Sequence, residues 1–195
     1  MSHSYGTSTY SIDASLAPTR LDAPEQLSPL ANAGFLEQEK AADPLVYVSG
    51  ATRSGWAVYT AKALVEAFEL PSLRFLSDEG QYRFETEHGF TAVTVFHPDA
   101  LPGIASDLRR LIERVREDPD LALDADTDGS MFGREEVAAA VARDYVSSNP
   151  AYDYKNVRGD EGQGPDYFFT WLRSILRVME VGLASGRAVI HELKV

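Results

Sequence analysis

Apolar residues return along this chain with two periods, and the switching between them outlines a fold. From Leu101 to Arg116, Ile104, Leu108, Leu111, Ile112 and Val115 recur every three or four positions, with Arg109, Arg110, Arg114 and Arg116 between them. That spacing predicts a helix with one dry stripe. Asp166 to Ala184 repeats the pattern with Phe168, Leu172, Ile175, Leu176, Met179 and Leu183, and Ser185-Gly186 supplies its stop. Trp56, Tyr59, Ala63, Leu64, Ala67 and Phe68 mark a third amphipathic helix. A fourth opens at Ala23-Pro24-Glu25, carries Leu27, Leu30, Phe35 and Leu36, and ends at Asp43-Pro44. A fifth runs from about Glu135 to Ser147, before Asn149-Pro150.

Short apolar or alternating runs predict strands at Leu45–Ser49, Leu73–Leu76, Tyr82–Thr86, Thr91–Phe96 and Arg187–Leu193, with alternation clearest in Tyr82–Glu85 and a hairpin turn at His88-Gly89. Residues 1–22 are rich in Ser, Thr and Tyr without clear periodicity, so they read as an arm. The expectation is an N-terminal arm and helix over 1–44 and one α+β domain over 45–195. Its sheet should be mixed but largely antiparallel, of about five strands, covered by three to four helices.

Charge narrows the classes of partner. The 195 residues are 44% hydrophobic and 25% charged, with 30 acidic against 18 basic side chains and a net charge of −12. Such an excess opposes nucleic acid phosphates and anionic membranes, and favours a cation or a basic protein. No apolar run approaches a membrane span. The absence of cysteine excludes disulfides and thiol catalysis. The first residues lack a basic region followed by an apolar run, so the expected compartment is the cytoplasm.

One stretch carries recognisable ligand spacing. In Asp124-Ala125-Asp126-Thr127-Asp128-Gly129-Ser130-Met131-Phe132-Gly133-Arg134-Glu135, carboxylates stand at places one, three and five, glycine at six and glutamate at twelve. This resembles the calcium loop of the EF-hand family. The resemblance implies calcium held by Asp124, Asp126, Asp128, the main-chain oxygen of Ser130 and Glu135. The other reading is an acidic turn with Asp128 or Ser130 capping the helix that follows.

Two further segments are candidates. Gly50-Ala51-Thr52-Arg53-Ser54-Gly55 follows a strand and precedes a helix, the outline of a phosphate cradle. It lacks the Walker lysine and the three-glycine dinucleotide pattern, so a tight connection capped by Ser54 is its simpler reading. Tyr152 to Pro165 is polar, glycine-rich and aromatic, and Asp153, Tyr154, Asp160 and Glu161 are its candidate partner-binding residues. His3, His88, His97 and His191 show no metal-ligand spacing, and no serine sits in a Gly-x-Ser-x-Gly elbow. Catalysis is therefore not demanded by any motif.

In general character, small, acidic and free of cysteine, residues 45–195 resemble bacterial immunity proteins that neutralise toxin domains. That resemblance implies a non-catalytic protein meeting a basic toxin domain through steering. The rival expectations are a calcium-binding protein working through 124–135 and a nucleotide- or phosphate-binding enzyme working through 50–55.

Overall fold

The computed structural model describes residues 5–41, 43–52, 55–125, 132–151 and 164–195, excepting the side chains of 51, 52 and 124. Its strands are β1 (Tyr5–Ile12), β2 (Tyr47–Thr52), β3 (Tyr82–Thr86), β4 (Gly89–Phe96) and β5 (Ala188–Lys194). Its α-helices are α1 (Ser28–Lys40), α2 (Trp56–Ala67), α3 (Leu101–Glu117), α4 (Asp120–Asp124), α5 (Arg134–Ala142) and α6 (Pro165–Ser185). The strands form one sheet in the order β2-β1-β5-β4-β3, and every neighbouring pair is antiparallel. The class is α+β.

The last strand in the chain is the middle strand of the sheet. Ala188, Val189, Ile190, His191, Glu192 and Leu193 are all buried, which accounts for a near-continuous apolar run. On one face of the sheet Val48, Phe96 and Val189 join a core with Leu64, Leu108, Leu172 and Ile175 from α2, α3 and α6. On the other face Tyr10, Val93, Val95 and Ile190 pack against Leu21, Leu27 and the inner side of α1.

Tyr5–Ile12, expected within an arm, instead lies inside the sheet between β2 and β5. Its register to β5 runs from Gly6↔Lys194 to Ile12↔Ala188. Thr7, Thr9 and Ser11 point to one face and are buried, while Tyr10 and Ile12 are buried on the other. Buried hydroxyls hide a period-two pattern from any reading that equates polar with exposed. Two of them are held by partners from distant parts of the chain, Thr9 Oγ1 lying 2.8 Å from His191 Nδ1 and Trp171 Nε1 donating to Thr7 Oγ1 at 3.2 Å, while Ser11 Oγ has no partner among the described residues.

Three other expectations change in the fold. Leu73–Leu76 is not a strand but part of a 3-10 helix, Pro71–Leu76, which buries Leu73, Phe75 and Leu76. A short apolar run does not distinguish the two states. Helix α5 stops at Ala142 rather than Ser147, because Arg143 turns extended and the chain runs to the edge of β2. There Ser148 C=O accepts Ser49 N–H at 2.8 Å, and Ser147 N–H donates to Ser174 Oγ at 2.9 Å.

In α1 the buried residues are Gly34 and Gln38, while Phe35 and Leu36 are 43% and 52% exposed. Gly34 lets the helix approach Tyr10, whose Cβ would stand 3.2 Å from any Cβ placed there. Gln38 Oε1 accepts the N–H groups of Val46 (2.7 Å) and Tyr47 (3.2 Å), so Gln38 and Ser148 between them cover the outer edge of β2.

Candidate functional site

Three segments singled out in the sequence have their described ends at one place. Trp56 opens α2 just after the 50–55 turn, Phe132 stands before α5 after the acidic loop, and Phe168 lies in the first turn of α6 after the tyrosine-rich segment. The Trp56 ring meets Phe132 at 5.4 Å and Phe168 at 5.8 Å, both edge-on. A Cβ built on Gly164, the N-cap of α6 at φ 107°, would stand 3.7 Å from Phe132. Ala122 and Leu123 of α4 close the same apolar recess, and Thr60 contributes a hydroxyl with no partner among the described residues. The aromatic cluster fixes where three connections emerge.

Local chemistry explains each helix start. Gly55 caps α2 at φ 73°, a left-handed conformation that glycine adopts freely. A side chain there would also strike the Tyr5 ring, 2.6 Å from the position of Cβ. Tyr5 and Tyr59 share a hydroxyl hydrogen bond of 2.7 Å, and burial, followed by that bond, pushes the Tyr5 phenol up to about 12. Gly133 caps α5, where Glu136 Oε2 accepts the Gly133 N–H at 2.9 Å, the reciprocal half of a capping box. The expected cap Ser54 lies outside the described residues, and so does Arg53. Gly50 serves packing: a Cβ there would stand 2.6 Å from Thr7 Oγ1 and 2.9 Å from the Tyr167 hydroxyl.

The metal-ligand expectations divide. Asp124 is the last residue of α4, and Glu135 sits exposed in the first turn of α5, so two helices bracket the loop. Asp126, Asp128 and Ser130 lie outside the described residues. Among the described residues no group of three His, Asp or Glu side chains is gathered around a common point. The partner-binding candidates Asp153, Tyr154, Asp160 and Glu161 also lie outside the described residues, in the segment that ends at Gly164 beside Phe132.

Acidic residues are concentrated in this part of the sequence. Residues 113–144 hold ten acidic and four basic side chains, a net −6 and half of the chain's −12. Their arginines are engaged. Arg114 stacks 4.0 Å over the Phe68 ring, and Arg116 pairs with Glu113. Arg134 pairs with Asp120 and, at 3.6 Å, with Asp118, and Arg143 meets Asp166 at 2.7 Å. Buried Arg173 from α6 and Arg116 from α3 donate to carbonyls of the last turn of α5, Ala140 and Val141, where a cation suits the helix dipole. Glu117, Glu135 and Asp144 stay exposed and, among the described residues, have no ion pair.

Glu192 and His191 of β5 are buried ionisable groups whose burial no motif signals. Glu192 accepts the Tyr10 hydroxyl at 2.6 Å and meets Lys194 at 3.1 Å. Burial, then the neighbouring Glu192 carboxylate, drives the Tyr10 phenol far up. His191 is fully buried against Phe75, its Nε2 has no partner among the described residues, and burial pulls it down to about 3. Adjacent strand residues point to opposite faces, so His191 and Glu192 cannot act as one acid–base pair. Among the described residues no helix is long and apolar enough to cross a membrane. Comparison with protein-family models, with curated proteins and with solved structures gives no match to this chain.

Proposed function

We propose that this chain is a non-catalytic acidic binding protein of the immunity type, which neutralises a basic protein partner by docking it where α3, α4 and α5 meet. The observation that carries the reading is the concentration of half the net charge in residues 113–144, with the local arginines already engaged. An asymmetric negative field raises the encounter rate with a basic toxin domain and sets its approach direction. Asp153, Tyr154, Asp160 and Glu161 are assigned to the same contact, since their segment leads into Gly164 beside the acidic end. Cytoplasmic residence is part of this reading.

The test is a pull-down at physiological salt with the chain and with its triple variant Glu117→Lys, Glu135→Lys, Asp144→Lys. A basic protein retained by the first and lost by the second supports the proposal. Retention of no basic protein, or equal retention by both, sinks it.

A second reading is favoured by the two helices that bracket the acidic loop: calcium bound through Asp124, Asp126, Asp128, the Ser130 carbonyl and Glu135. Calorimetry with calcium on the chain and on Asp124→Ala decides it. Absence of both heat and a thermal shift ends the idea. The nucleotide reading of 50–55 is the weakest, because Gly50 is packed under Tyr167 and Trp171.

A further inference from the structure

We infer that two copies of this chain pair through the free edge of β3, continuing the sheet across a two-fold axis at Phe84. The inference is independent of the proposed function. Phe90 gives its carbonyl to Val195 N–H at 2.9 Å, so its main-chain groups face β5. Main-chain direction alternates along a strand, so Thr91 and Val93 face β3, where they meet Phe84 and Tyr82. Arg83 and Glu85 are left with N–H and C=O directed away from the sheet. Among the described residues no main-chain partner meets them there. The opposite edge, β2, is already covered by Gln38 and Ser148.

An open edge is a template for another strand unless its side chains forbid it. Here the side chains are self-complementary. Antiparallel pairing about Phe84 sets Arg83 opposite Glu85 of the second copy, and Glu85 opposite its Arg83. Both are hydrogen-bonded positions, so the two strands exchange four main-chain bonds. Within one copy Arg83 Nε already lies 2.9 Å from Glu85 Oε1 on the same face. Pairing therefore closes a ring of four alternating charges. On the other face the half-buried Phe84 meets its own mate at a non-hydrogen-bonded position, where side chains come closest. Like charges at 83 and 85 would have repelled instead.

The test is sedimentation of the full chain from micromolar to millimolar concentration, at physiological salt, where charges more than about 8 Å apart are largely screened. The mass is expected to rise from 21.4 kDa toward twice that value. Glu85→Arg sets two like-charge pairs across the axis and should weaken the association by about tenfold or more. The swap Arg83→Glu with Glu85→Arg should restore it. Circular dichroism melts confirm that each variant folds. A measurement needing no variant stands beside them: the amides of Arg83 and Glu85 should gain protection from hydrogen exchange as concentration rises. A monomer throughout the range overturns the inference. So does a dimer that ignores Glu85→Arg while those two amides stay unprotected.

Discussion

Lowering the pH from 7 to 5 should destabilise this protein through His191 in particular. The ring is enclosed by Thr9 and Phe75, with Nδ1 bonded to Thr9 Oγ1 and Nε2 unpaired among the described residues. Burial holds it down to about 3 from its ordinary 6.5. The folded chain thus stays unprotonated over a range where the unfolded chain takes up a proton. Its contribution is full above about pH 6.5 and is lost as the pH falls toward 3.

At 1.36 kcal/mol per pH unit, the one and a half units between 6.5 and 5 remove about 2 kcal/mol. That is a large part of an ordinary domain's margin of about 5–15 kcal/mol. The assay is urea unfolding at a series of pH values, for the chain and for His191→Leu. The variant loses the Thr9 contact and starts lower, but its curve should fall less steeply from pH 7 to 5, by about 2 kcal/mol. Parallel curves would refute the reasoning and place a proton, or water, where none is inferred.

Further expectations concern packing and buried polarity. Tyr10→Phe removes the donor to buried Glu192 and should cost about 1.5–3 kcal/mol in urea unfolding, whereas a change within error would mean the carboxylate is otherwise satisfied. Gly50→Ala drives a methyl against Thr7, Tyr167 and Trp171 and should cost about 1–3 kcal/mol, read as a lower melting temperature. Gly186→Ala forces a side chain into the left-handed cap of α6, at φ 65° in open space, for a loss of about 1 kcal/mol by the same melt. Were Gly186→Ala neutral while Gly50→Ala is costly, crowding rather than backbone conformation would govern both sites.

Helix α3 was legible because its faces differ, whereas α2 and α6 expose Tyr59 and Leu183, which periodicity assigned to their apolar sides. The stripe Ile104, Leu108, Leu111, Ile112 and Val115 of α3 is buried as its period predicts. The hairpin of β3 and β4 was legible from alternation, although its turn is Glu87-His88 and Gly89, expected in the turn, already pairs with Thr86. Tyr5–Ile12 was not, because Thr7, Thr9 and Ser11 are polar residues that the sheet buries, Thr7 and Thr9 through hydroxyl bonds that only the folded chain supplies. Nor was the inner side of α1, where close approach selects Gly34 and an edge-capping role selects Gln38, while Phe35 and Leu36 face outward. The candidate site shows the same division. Motif spacing identifies three segments one by one, but their meeting at Trp56, Phe132 and Phe168 depends on contacts between residues 76 and 112 positions apart, which no local pattern encodes.

The position of β5 has a consequence for how the protein is made. The pair β1–β2 and the pair β3–β4 share no edge; only β5 touches both, and it is synthesised after all of them. Until it leaves the ribosome, two half-sheets wait with open flanks, and the polar side chains of Thr9 and Tyr10 lack His191 and Glu192. Assembly is thereby governed by contacts of long sequence separation, which are slow to close. Chains truncated at Ser185 should remain protease-sensitive, whereas release of all 195 residues lets β5 join both pairs and should give the native state.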